Sequence, residues 1–285
     1  MKPGKRAARF CVPTPAMDQR VHARVSGRLR DASDHDGDGR TVDGMDWSTL
    51  PKDVLVCIFS YLPMVDRFRV GGVCSNWRLA SRHHLCWTEG IVLFPPLPWR
   101  NRSPAAAKDV IRRSKGRVIE LSVNSGDHWL MEHIGRKCPR IEHLTFQLAS
   151  GGGACWNRAA KAVAEGCPAL RSLALSIFSQ VSDSEGVFVR QLVSGLRNLV
   201  ALSIYTGPYE PVTDDDVNVI VASLPGLQSL YLFGTLITDA SLHKIGEKLR
   251  CLRFLSVYYC NLVTRVGVDS LRTARQDLQV WSSYD

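Results

Sequence analysis

The chain has no run of about 18 apolar residues, so no membrane-spanning helix is expected from it. It also lacks a C-x-x-C pair, H-E-x-x-H, G-x-S-x-G and G-x-x-x-x-G-K-[ST], so zinc, hydrolase and P-loop chemistry are without their minimal residues and catalysis is not expected. No apolar signal-peptide core stands at the start, and the nine cysteines are an odd number. Together these predict free thiols in a reducing compartment, cytoplasm or nucleus, rather than a disulfide framework. Acids are scarce at the start. Lys2, Lys5, Arg6, Arg9, Arg20, Arg24, Arg28 and Arg30 stand against the single acid Asp18, the charge bias of a disordered basic tail or of a targeting signal.

What is present fits a folded protein of 285 residues: 45% hydrophobic, 22% charged, with a formal net charge of +9. That charge favours acidic partners. The basic residues are spread along the chain with no RGG tract, so an acidic protein suits the charge as well as nucleic acid does. The stretch DHDGDGRTVDGMDW, residues 34–47, imitates the start of an EF-hand loop with Asp34, Asp36, Asp38 and Gly39. Its twelfth position is Met45 where a bidentate carboxylate is required, so it is read as a solvated hinge. A zinc cluster of Cys74, His83, His84 and Cys86 has no common ligand spacing, and no metal or cofactor is expected.

Residues 1–45 have no sustained apolar period and are expected to be disordered. Composition then changes abruptly. Over 46–88, Val54, Leu55, Ile58, Phe59 and Leu62 mark a helix that opens at Pro51 and stops at Pro63, and further short helices are expected from about Asp66 and Cys74. Three helices this short cannot bury a large core alone, so they need a neighbour.

The pattern L-x-x-L-x-L recurs after that, with first positions at 118, 141, 170, 199, 227, 252 and 278, separated by 23, 29, 29, 28, 25 and 26 residues. This is the period of leucine-rich repeats. Helical spacing lies between the strands, as at Val217, Ile220, Val221, Leu224 and at Leu242, Ile245, Leu249, and capping-box pairs stand at Ser182 with Glu185 and Thr213 with Asp216. Residues 89–116 are read as a linker and an irregular leading repeat, and 117–285 as about six repeats plus a truncated one. The expected fold is α/β: a small three-helix unit followed by a short solenoid with a curved parallel sheet, helices on its convex side, and a disordered N-terminal tail.

LPKDVLVCIFSYLP followed by VCSNW resembles the F-box, and the repeats resemble those of F-box/leucine-rich-repeat proteins, particularly the plant type. Leu50, Pro51, Leu55, Ile58, Phe59, Leu62, Val73, Cys74 and Trp77 match, Trp87 fills the terminal tryptophan position, and Cys86 replaces the usual leucine before it. Cys138-Pro139 and Cys167-Pro168 resemble the cysteine-containing repeat subclass, but only residues 252–264 carry its fuller pattern, with Cys260. The ninth position elsewhere is Ala149, Phe178, Gly207 or Thr235, which predicts degenerate turns. The resemblance implies a non-catalytic substrate receptor of an SCF-type ubiquitin ligase. Its F-box would dock on a Skp-type adaptor tied to a cullin, and its repeats would hold an unknown protein target. The alternative is a solenoid scaffold acting without ubiquitination.

Adaptor contact is expected at Leu50, Pro51, Ile58, Leu62, Val73 and Trp77, with Arg67, Arg69, Arg78 and Arg82 as basic surroundings that suit an acidic adaptor. Alternation along each strand projects the residues between the leucines from the concave face. Tyr205, Tyr231, Phe233, Phe254, Tyr258 and Tyr259 are therefore expected to form one aromatic target-binding patch. Seven strands about 4.8 Å apart make a face roughly 30 Å long, enough for a peptide or one domain edge. The concave positions carry no Lys or Arg, which argues against nucleic acid.

Overall fold

A computed structural model describes residues 47–88, 91–93, 103–148, 153–177, 187–207 and 212–285. The basic start, the acidic stretch up to Asp46, Phe94 and the proline-rich loop after it, Ala149, Phe178 and the Ser182–Glu185 pair lie outside them. Residues Trp47–Asp285 make one compact unit.

Helices α1 (Lys52–Ser60), α2 (Met64–Arg69) and α3 (Ser75–Ser81) form the first part, with short 3-10 turns at Trp47–Thr49, Val70–Gly72 and His84–Trp87. Pro51 and Pro63 each stand just ahead of a helix, at φ −54°, so neither interrupts a helical hydrogen bond. The remainder alternates strand and helix: β1 (Ile91–Leu93), α4 (Ser103–Ser114), β2 (Glu120–Gly126), α5 (His128–Lys137), β3 (His143–Leu148), α6 (Gly153–Gly166), β4 (Ser172–Ile177) and α7 (Val187–Gly195). It continues with β5 (Ala201–Thr206), α8 (Asp214–Ser223), β6 (Ser229–Phe233), α9 (Asp239–Lys248), β7 (Phe254–Val257), α10 (Arg265–Ala274) and β8 (Gln279–Ser282).

The eight strands of the described residues pair in parallel and in sequence order, one more than the seven expected, because Ile91–Leu93 pairs with Leu121–Val123. Leu144, Leu173, Leu202, Leu230 and Leu255 lie side by side in register and are buried, as are Phe146, Leu175, Ile204 and Leu232 two residues on. Each repeat thus contributes two apolar side chains to a shared core. The helices add Leu130, Ile134, Val163, Leu192, Val217, Ile220, Leu242 and Ile245 from the other side. No single repeat could close this core, which is why the stack is the folding unit.

Polar groups stitch neighbouring repeats. Asp214, the first residue of α8, accepts hydrogen bonds from the Thr238 backbone N–H (2.8 Å), the Thr238 hydroxyl (2.7 Å) and the Ser241 hydroxyl of the next repeat. Asp239, the first residue of α9, does the same for Thr264, at 2.8 Å to N–H and 2.6 Å to the hydroxyl. Each aspartate therefore fixes the N-cap of the following helix. In the Thr213–Asp216 capping box, Asp216 accepts from the Thr213 N–H at 2.9 Å. The turns after β5 and β6, expected to be degenerate, are joined by other chemistry. The Thr206 hydroxyl donates to the Gly234 carbonyl at 2.9 Å, and the buried Thr235 hydroxyl meets the Cys260 thiol at 3.0 Å.

Burial alone would raise the Asp214 carboxyl, but its hydrogen bonds from Ser241 and Thr238 bring it below the ordinary carboxylate range. A depressed folded-state pKa contributes stability that is full above the unfolded value, about 3.9, and lost as pH falls through the folded value. Asp214→Ala should thus be less stable than wild type at pH 7, with urea midpoints that converge as pH falls below about 4. A gap independent of pH would rule out the carboxylate as its cause.

Two buried arginines lock the ends, which the sequence reading did not anticipate. Arg67 was expected on a basic surface; instead it is buried, donating to the carbonyls of Leu62 (2.7 Å), Cys86 (2.8 Å) and Ser60 (2.9 Å). Its guanidinium ties the end of α1 to the turn before the solenoid. Arg275, also buried, donates to the carbonyls of Gly246 (3.1 Å), Leu249 (3.2 Å) and Leu252 (3.1 Å) while Asp277 pairs with it at 2.8 Å. In each case one long planar donor satisfies carbonyls that strand and helix ends leave open.

Candidate interaction surfaces

Helix α1 is apolar on two faces, and this defines the first surface. Leu55 and Phe59, four apart, are buried, with Leu62 packed against the same core. Val54 and Ile58, also four apart, and Tyr61 three further on lie on the other face and are exposed, at 44%, 41% and 85%. Trp47, Val65, Val73, Leu79 and Leu85 are exposed as well. Eight large apolar side chains open to solvent within 47–88 are far more than scattered surface leucines explain.

Of the residues expected at the adaptor surface, Pro51, Ile58 and Val73 are exposed. Leu50, Leu62 and Trp77 are half-buried and pack on the core. Trp77 meets Phe59 edge-on at 5.2 Å and donates its indole N–H to the Trp47 carbonyl at 2.9 Å. Val54 was read as one member of a single apolar stripe, and Tyr61 was not singled out. The signal for both was the i, i+4, i+7 spacing of Val54, Ile58 and Tyr61, separate from that of Leu55, Phe59 and Leu62.

Trp87 and Phe68 meet at a tilt with ring centroids 4.7 Å apart, and Arg113 of α4 lies over both rings, at 5.0 Å and 5.1 Å, so this surface is fixed to the solenoid. The Trp87 indole N–H donates to the Ser81 carbonyl at 2.6 Å. Cys86 is buried beside it, and burial pushes its thiol up to about 11 against the opposing influence of Arg67. Burial likewise pushes the Cys138 and Cys167 thiols up to about 12, and Cys155 is only half-buried. The eight described cysteines are all free. Thiols raised this far are packing groups, since the thiolate is the nucleophile and metal ligand. Among the described residues no His, Cys, Asp and Glu gather as a metal site.

The second surface is the open face of the sheet. Strand register sets Ser203, Tyr231, Ser256 and Trp281 in one row, and Ser229, Phe254 and Gln279 in another. Tyr205 and Phe233 are partners at 5.7 Å between rings, and Phe233 meets Tyr259 at 4.8 Å. Tyr205, Phe233 and Tyr259 thus make an aromatic ladder, while no ring contact joins Tyr231, Phe254 or Tyr258 to it among the described residues. The expectation of six exposed aromatics needs correction at Tyr205, which is only 9% exposed. Its burial raises its phenol pKa, with Tyr231 adding to the effect, so it underlies the ladder rather than presenting surface. Tyr259, at φ 57° and 58% exposed, projects outward.

Trp281 was missed. Leu278 matches the first position of a repeat, but this last copy is one residue shorter before its strand, so Val280 pairs with Leu255 and is buried. Trp281 therefore faces out, 49% exposed, beyond Ser256.

A small helical unit with an uncovered apolar face, joined through a shared aromatic contact to a parallel strand–helix solenoid, is the architecture of an F-box followed by leucine-rich repeats. Residues 47–89 match the F-box-like family, and about three quarters of the chain is similar to F-box/LRR-repeat proteins of animals and plants. It is 26% identical over 231 residues to F-box/LRR-repeat protein 12 of Bos taurus, across 73% of this chain and 70% of that protein. To an F-box/LRR-repeat protein of Arabidopsis thaliana it is 22% identical over 228 residues, across 76% and 71%. A shorter match, 48% over 33 residues, joins 12% of this chain to F-box/LRR-repeat protein 21 of Ovis aries, of which it spans only 8%. Among solved structures, the crystal structure of the yeast Rad7 and Elc1 complex aligns with 81% of this chain and 68% of its own at 15% identity, with a TM-score of 0.46.

Proposed function

We propose that the protein is the non-catalytic substrate-recognition subunit of an SCF-type ubiquitin ligase. Its F-box binds a Skp-type adaptor and through it a cullin, and its repeats hold a protein target for ubiquitination. The observation that carries this reading is the set of uncovered apolar side chains on the helical unit, Val54, Ile58, Tyr61 and Val73 foremost. Leaving such a face in water is unfavourable by roughly 25 cal/mol per Å², which a partner would recover. The similarity of residues 47–89 to the F-box supports a Skp-type adaptor as that partner.

The target surface is assigned to Phe233 and Tyr259 with Tyr205 beneath them, together with Tyr231, Phe254, Tyr258 and Trp281. Aromatic side chains on a sheet face of small polar residues have the composition of a protein-binding hot spot. Among the described residues no helix is long and apolar enough to cross a membrane.

Co-expression of the full chain with a Skp-type adaptor should give one co-eluting complex that also retains cullin. Elution of the chain alone would count against the proposal. Proximity labelling then identifies targets as proteins that accumulate with an adaptor-blind variant and vanish when Phe233→Ala and Tyr259→Ala are added.

A further inference from the structure

A cavity of about 750 Å³ lies between α4 and α5. Its lining includes Lys108, Arg112 and Lys115 from the first helix and its end, and His133 and Lys137 from the second. The carboxylate among them, Asp109, is taken up by Arg112 and by Arg113, the latter at 2.7 Å. Lys108, Lys115 and Lys137 are exposed and have no ion pair among the described residues. Lys115 and Lys137 stand at helix C-termini, where cations offset the dipole, but Lys108 is in mid-helix and that account does not reach it.

The rim is cationic, with Ala105 exposed beside it and Ile111 almost wholly buried behind it. The lower end is closed by backbone: Gly116, at φ 74°, lies so near Lys137 that a Cβ there would stand 2.5 Å from its carbonyl oxygen. His133 senses this field, its imidazole held below its ordinary value first by burial and then by Lys108 and Lys137. Beyond the groove, Arg117 reaches within 2.9 Å of His84, which extends the positive strip to the end of the F-box.

A cleft lined by one sign of charge concentrates the opposite charge. We infer that this groove binds an acidic segment of a partner protein, its carboxylates on Lys108, Lys115 and Lys137. The inference does not depend on adaptor binding.

The test uses the full chain and a fluorescein-labelled peptide, Asp-Asp-Glu-Leu-Glu-Asp-Asp, followed by anisotropy. Saturable binding should weaken roughly tenfold in Lys108→Gln/Lys115→Gln/Lys137→Gln. It should hold in Lys161→Gln/Lys248→Gln/Arg265→Gln, which removes as many charges elsewhere. Lys108→Glu alone, an exposed mid-helix change, should weaken it in the same direction. Equal loss in the two triple variants, or no saturable binding, would each overturn the inference.

Discussion

Trp87→Ala should destabilise the protein by about 3–5 kcal/mol, the range for removing a large aromatic from a core. Trp87 is wholly buried, and its ring serves two units at once: Phe68 of the F-box at 4.7 Å and Arg113 of the first solenoid helix at 5.0 Å. Its indole N–H holds Ser81 at 2.6 Å, so the substitution also orphans the carbonyl that closes α3. Because Trp87 stands at the joint, the loss should be uneven. In urea or heat, circular dichroism should show residues 47–88 unfolding ahead of the repeats, where wild type unfolds in one transition. Trp87→Phe should recover most of the packing and leave only the lost hydrogen bond, about 1 kcal/mol. A loss under about 1 kcal/mol for Trp87→Ala would mean that the two parts share no core.

The second large effect falls on binding and spares stability. Val54→Asp/Ile58→Asp puts two carboxylates on the face of α1 that points away from its core, so the folded protein should be altered by under about 0.5 kcal/mol. Adaptor affinity should fall at least roughly a hundredfold, since a charge buried at the centre of an apolar contact loses its hydration without gaining a partner. Leu55→Asp, one residue away, should instead unfold the unit, because Leu55 is buried. The contrast between residues 54 and 55 separates a binding face from a core face on one helix. A titration of adaptor into each variant, read beside its thermal midpoint, checks both.

The repeats were legible because buried leucines must return at fixed spacing for a parallel stack to share a core, and Leu144, Leu173, Leu202, Leu230 and Leu255 stand in register as that spacing requires. The F-box was legible for a similar reason, in its two prolines and the apolar run between them. What escaped were residues whose role runs against their type. Arg67 and Arg275 look like surface charges until their carbonyl partners, brought close only by the fold, are seen. Tyr205 looks exposed by strand alternation, but neighbouring rows bury it. Trp281 looks like a core position because one missing residue reverses the alternation of its strand, and only pairing with β7 reveals the shift. Alternation assigns a side chain to a face; how deep that face lies depends on neighbours distant in sequence.

Adaptor docking on the F-box is the central claim, and hydrogen exchange of the full chain with and without a Skp-type adaptor tests it most directly. Protection should appear in the amides of residues 52–62 and 73–79 and leave β5, β6 and β7 unchanged. Protection confined to the repeats, or none at saturating adaptor, would contradict it.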